Sequence, residues 1–313
     1  LPARWIAGLA VEREQAVNEF LNRMLRGANP LAAQLGMRGD TSVSEMLQRA
    51  AAEVGTAFPD RPLLESDTRL LIGISLHGQG HFEQAAEQLF QAWQLLESMQ
   101  PERLLEAVRA QRLYATSLAR SGRKQQALPM LEAAWKRGFD GLEDDEPELG
   151  ALEGDLAWLL NDLDRPGEAY PHAVESLRRL DAAGPEFVAQ ATSSAAVVAR
   201  ASRSQNDDAA TEAAYREAFA RAKRHVGADS VFAGVTASNL GTFFFSRGRN
   251  AEALEQFELG VKLQRASLGP DNPILSSSLF NLASALEQLG RLEEARATML
   301  ECLTLLERSL GRD

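Results

Sequence analysis

The stretch Asn239–Phe257, NLGTFFFSRGRNAEALEQF, is answered 42 residues later by Asn281–Met299, NLASALEQLGRLEEARATM. Each begins Asn-Leu-small, reaches Gly-Arg seven residues after the small residue, and sets an alanine five residues beyond that glycine. Extended backward, the glycine slot falls at Gly80, Gly122, Asp164, Gln205, Gly248 and Gly290, in steps of 42, 42, 41, 43 and 42. The alanine follows every time, at Ala85, Ala127, Ala169, Ala210, Ala253 and Ala295. Seven before the slot stands Gly73, Ala115, Ala157, Val198, Gly241 or Ala283. So many slots held in phase mark a repeat array.

Each unit reads as a helical hairpin. A small residue on the first helix lets the alanine of the second come close, and large apolar residues a turn away fill the flanks. The glycine slot ends the first helix where a left-handed backbone is needed. The second helix restarts within three residues, so the two are antiparallel neighbours. Between units, ASLGPDNPILSSS supplies Gly269, Pro270 and Pro273 as stop and restart signals. One hairpin cannot bury its apolar face alone, whereas a stack of them can.

Composition agrees. Of 313 residues 45% are hydrophobic, 25% charged and only 6% aromatic, a balance that favours helix over sheet. The net charge of -11 excludes bulk attraction to nucleic acid or anionic lipid. No run of 18 apolar residues offers a membrane span, and the opening LPARWIAGLA is too short and broken for a signal peptide. The single cysteine, Cys302, excludes an internal disulfide.

The order small, large, Gly, Ala, apolar, with twelve residues from small slot to alanine, resembles the tetratricopeptide repeat. The 42-residue period, with LGPDNPILSSSLFNLASALEQLGRLEEA, resembles the long-helix variety found in kinesin light chains and many bacterial proteins. HEAT and armadillo arrays have a nearby period but do not keep this small–Gly–Ala spacing. The resemblance covers about residues 62 to 310 and implies an all-α, right-handed superhelix of about six hairpins, about fourteen helices in total. The fourth unit, FVAQATSSAAVVARASRSQ, lacks the large residues and is expected to pack most loosely.

Residues 1–60 differ from the array at 61–313. REQAVNEFLNRMLRGANP reads as an amphipathic helix ended by Gly27 and Pro30, and TSVSEMLQRAAAEV as a second helix opened by a Ser42–Glu45 capping box. Together they are expected to form a helical cap over the first repeat. This order of helices before repeats is similar to the C-terminal half of bacterial membrane-anchored Ser/Thr protein kinases and of winged-helix transcriptional regulators. That resemblance implies a periplasmic or extracytoplasmic location, with a cytoplasmic one as the alternative. It also implies that any catalytic or DNA-binding half lies outside this sequence.

No catalytic constellation, nucleotide-binding glycine loop or G-x-S-x-G motif is present in the sequence, so no enzyme, cofactor or metal is expected. His77, His81, His172 and His225 lack ligand spacing, and GLEDDEPEL (Gly141–Leu149) reads as a solvated acidic loop rather than a calcium site. What remains is surface. In a right-handed stack the first helices line the concave side, which gathers Arg109, Arg112, Arg120 and Arg203 around Trp158, with Phe245 and Phe280 further along. That groove suits an anionic, partly apolar protein or extended peptide. The alternative is that the arginines pair with Asp67, Asp155 and Asp162. Asn239 and Asn281 repeat two before the small slot. They either bind the backbone of an extended peptide, as similar residues do in peptide-binding relatives, or bond helix to helix within the stack. A competing function is self-association through the leucine-rich terminal helix, Leu300 to Leu310.

Overall fold

The computed structural model describes residues 43–99, 101–270, 272 and 275–309. Among them lie thirteen α-helices and no strand. They fall into two compact units, one up to Leu159 and one from Leu160.

The first unit holds α1 (Val43–Ala57), α2 (Pro62–Gly78), α3 (Phe82–Glu97), α4 (Leu104–Arg120), α5 (Lys124–Gly141) and most of α6 (Pro147–Asp162). Pro62 opens α2, where its missing N–H leaves no bond unmade. At the small slot Gly73, an added Cβ would lie 2.6 Å from Leu89 Cγ, so α2 and α3 touch through a residue with no side chain. Ala50 and Val54 of α1 are buried in the same cluster as Leu70, Ile72, Leu76, Leu89 and Leu96. Helix α1 is the second of the two helices expected ahead of the array. The first, around Arg13–Gly27, and the Ser42–Glu45 capping box lie outside the described residues.

The second unit holds the end of α6, then α7 (Pro166–Ala183), α8 (Val188–Ala201), α9 (Asp208–Arg221), α10 (Val231–Ser246), α11 (Asn250–Leu268), α12 (Leu275–Gln288) and α13 (Leu292–Ser309). Its main core joins Tyr215, Leu240, Phe243, Phe244, Phe257, Ala285 and Leu286. A smaller cluster of Val261, Leu275, Leu279, Cys302 and Leu305 ties α12 to α11 and α13. Cys302 is packed, its thiol donating to the Ser276 carbonyl at 3.2 Å, and burial pushes its pKa up.

The hairpin turns obey one rule. The left-handed residues are Gly80, Gly122, Asp164, Asn206, Gly248 and Gly290, in even steps of 42. At Gly122 the next amide, Arg123 N–H, reaches back to the Leu118 carbonyl, and Arg249 N–H reaches the Phe244 carbonyl in the same way. These bonds satisfy carbonyls that the ending helix leaves open.

The fourth unit corrects the sequence reading. Its turn residue is Asn206 at φ 54°, not Gln205, which lies in a 3-10 turn. The close-contact residues move with it: Ala199 is fully buried where Val198 was expected. Thr211, 1% exposed, takes the place expected for Ala210, which is exposed. Asn tolerates the left-handed region better than Gln, because its short side chain can bond locally. This unit also departs from regular α geometry, with 3-10 turns at Pro185–Phe187 and Ser202–Gln205 and a π turn at Ala222–Val226.

Candidate functional site

In the first unit α4 sets Arg109, Arg112, Thr116 and Arg120 along one helical face. Helix α6 brings Glu148, Asp155 and Trp158 against it. Glu148 accepts from Arg109 Nε at 3.0 Å and from Arg112 Nε at 2.5 Å, while Asp155 accepts from Arg112 Nη1 at 2.6 Å. The Glu148 side chain is 3% exposed and that of Arg112 is 14% exposed. Glu148 also lies in the first turn of α6, where the helix dipole favours a carboxylate. Burial disfavours the Arg112 charge, but Glu148 and Asp155 outweigh it and raise the Arg112 pKa above its ordinary value. Arg112 is therefore a buried strut between two helices and has little left to offer a ligand.

Its neighbours differ. The Arg109 side chain is 40% exposed beyond its bond to Glu148. Arg120 is exposed and lies 3.9 Å from the centre of the Trp158 ring, a cation–π stack that leaves one guanidinium face to solvent. His77 on α2 shares a 2.8 Å hydrogen bond with Ser117 Oγ. Burial lowers the His77 pKa, Asp155 opposes, and Arg120 and Arg112 lower it further. The alternative raised from sequence thus holds for Arg112 with Asp155, and Glu148 joins it. That residue, assigned from sequence to a solvated acidic loop, is the most buried carboxylate of the cluster.

The remaining residues belong to the second unit. Arg203 forms an exposed ion pair with Asp164 at 3.2 Å. Phe280 on α12 is 53% exposed, and Phe245 on α10 is half-buried with its ring 6.5 Å from that of Phe257. Asn239 and Asn281, one full repeat apart on α10 and α12, are both half-buried. Neither carboxamide is engaged by another side chain or backbone group among the described residues. The polar bridge between these helices is made instead by Ser238 and Ser278, whose hydroxyls are 3.4 Å apart.

A basic cluster around Phe243 and Phe244 escaped the sequence reading. Arg249 lies 4.3 Å from the centre of the Phe244 ring and bonds Glu212 and Glu252, each at 2.5 Å. Arg247 pairs with Asp208 and lies 5.5 Å from the Phe243 ring. The hydrogen bond from Arg249 holds Glu252 below the usual carboxylate range, and that from Arg247 does the same for Asp208. The available signal was Arg directly after the turn with Glu three further on, repeated at Arg165/Glu168, Arg249/Glu252 and Arg291/Glu294. Among the described residues no group of three potential metal ligands comes together, and no helix is long and apolar enough to cross a membrane.

Three family models, each described as tetratricopeptide repeat, match residues 232–308, 192–231 and 108–133. No curated protein matches the chain. Among solved structures the chain is similar to the apo form of RapI, with TM-score 0.66 and 12% identity over 96% of this chain and 100% of that one. It is similar to a Rap protein complexed with Competence and Sporulation Factor, with TM-score 0.60 and 15% identity over 97% and 88%. A Podosopora anserina protein described as a kinesin light chain, with nearly identical TPR-like repeats, has TM-score 0.53 and 18% identity over 65% of this chain and 96% of that one. At these identities the likeness is one of fold.

Proposed function

The chain is a tetratricopeptide repeat array, a scaffold for contact between proteins, and on that premise we propose that its first helices bind an extended peptide segment of a protein partner. One observation carries the reading: Asn239 and Asn281 repeat one unit apart with carboxamides that no other described residue engages. Each carboxamide is open to solvent in the free chain, so a ligand can complete its hydrogen bonds in place of water. A peptide backbone does so, because it offers one donor and one acceptor per residue whatever its sequence. Phe280, half exposed beside Asn281, supplies an apolar contact for a side chain of that peptide.

In the first unit Arg109 and Arg120 with Trp158 suit acidic and apolar side chains, and Arg112 acts only by holding α4 to α6. A structure of similar fold, the Rap protein with Competence and Sporulation Factor, supports the use of such an array to hold a ligand. The resemblance to membrane-anchored kinases and regulators further supports a sensing role in the extracytoplasmic part of a bacterial signalling protein. An alkaline phosphatase fusion to the full-length protein tests that location.

Random peptides displayed on phage and panned against the whole chain test the binding reading. Selected peptides are expected to lose affinity on the order of tenfold or more against Asn239→Ala with Asn281→Ala, since two backbone hydrogen bonds are removed. Unchanged affinity for every selected peptide in that double variant overturns it.

A further inference from the structure

We propose that the outer face of α13 docks on the same face of a second copy of the chain, with the two helices antiparallel. Leu292, Leu300, Leu303 and Leu306 on this helix are 62%, 55%, 48% and 39% exposed. One repeat earlier, the residues corresponding to Leu303 and Leu306 are Val261 and Gln264 on α11, only 5% and 2% exposed. There Val261 is covered by α12, in one cluster with Leu275 and Leu279, while Gln264 packs against Gly234 of α10. The face that α12 covers on α11 is bare on α13 among the described residues, and it is richer in leucine.

The spacing along that face is specific. Leu292, Arg296, Met299, Leu303 and Leu306 follow each other by four, three, four and three residues, the spacing of two helices packed side by side, with Met299 at the inner edge of the face and packed in part on its own hairpin. Two charges interrupt or flank the leucines. Arg296 and Glu307 are both exposed, and neither has an ion-pair partner among the described residues, whereas Arg291 on the same helix is bonded to Glu294. A parallel pairing would set Arg296 against Arg296 at the seam, with Glu307 out of reach of either. An antiparallel pairing centred between Met299 and Leu303 sets Arg296 of each copy beside Glu307 of the other, and twofold symmetry makes this contact twice. The occupant that completes both the leucines and the charges is therefore this same helix.

Sedimentation equilibrium of the whole chain over a wide concentration range tests the pairing, with circular dichroism confirming that each variant stays helical. A reversible monomer–dimer equilibrium is expected, one such interface being at the small end of stable contacts. Arg296→Glu alone and Glu307→Arg alone are each expected to weaken the dimer about tenfold, and the two together to restore it. Leu303→Lys abolishes it. A chain that stays monomeric throughout, a dimer indifferent to both single reversals, or a double reversal that fails to restore association each overturns the proposal.

Discussion

Gly241 on α10 sits so close to Phe257 on α11 that an added Cβ would meet the ring at 2.8 Å and the Ala253 carbonyl oxygen at 3.2 Å. Alanine favours a helix over glycine by about 1 kcal/mol. Here the steric term wins, because Phe257 is itself 2% exposed and has nowhere to move. Gly241→Ala is expected to destabilise by about 1–3 kcal/mol in urea unfolding. Gly167→Ala, at a helical position with nothing within 4 Å, is the matched control and should gain a fraction of the helix-propensity term.

The register of the fourth hairpin has its own test. Asn206 adopts φ 54° and Gln205 does not adopt a positive φ. Asn206→Gly should therefore raise the melting temperature slightly, relieving a left-handed cost of up to about 1 kcal/mol. Gln205→Gly should lower it, because flexibility is added where none is used. The opposite order of the two variants would return the turn to position 205.

Arg112 and Glu148 should behave as structural residues. Removing Arg112 leaves Glu148 only Arg109, and removing Glu148 leaves Arg112 only Asp155, so each loss lies toward the low end of about 3–5 kcal/mol for an uncompensated buried charge. Arg112→Ala and Glu148→Ala are both expected to lower stability by that order in chemical denaturation. Arg109→Ala and Arg120→Ala, whose side chains are more exposed, should each cost less than about 1 kcal/mol. If ligand affinity falls in the Arg112 variant with stability unchanged, Arg112 is a contact residue after all.

His77 makes the first unit sensitive to mild acid. Its folded pKa is lowered by burial, so the unfolded chain takes up the proton first as pH falls. Stability should decline from the ordinary histidine value of 6.5 downward, toward the lowered folded value. His77→Gln, which keeps a hydrogen-bonding group near Ser117, should flatten the pH dependence of the urea midpoint in that window. Equal slopes for parent and variant would show that His77 does not carry the effect.

The period, the hairpins and the small slot were legible because each rests on a residue type that sterics demand at a fixed spacing, although the side chain closest to the small slot stands one turn beyond the alanine that the sequence pointed to. Gly73 against Leu89 and Gly241 against Phe257 are such cases. The fourth unit blurred for the same reason in reverse. Between Val188 and Ala218 alanine is so frequent that a register shifted by one still finds a small residue at nearly every slot. The left-handed backbone at Asn206 and the burial of Ala199 and Thr211 distinguish the two. The candidate site was half legible. Helical phase put Arg109, Arg112 and Arg120 on one face, but Glu148 lies 36 residues beyond Arg112, and whether it meets an arginine or water depends on how two helices pack.

The constant 42-residue step between left-handed turns gives the chain a quantised length. A splice that joins Asn206 directly to Arg249 removes one whole period and still places a restarting second helix directly after a left-handed residue. A splice one residue longer or shorter shifts every later side chain by 100° around its helix axis and turns buried faces outward. Gain or loss of material in such a chain is therefore tolerated best in whole periods, at the turns, and the surface it presents to a partner can lengthen by fixed increments with only the contacts at the splice to be remade.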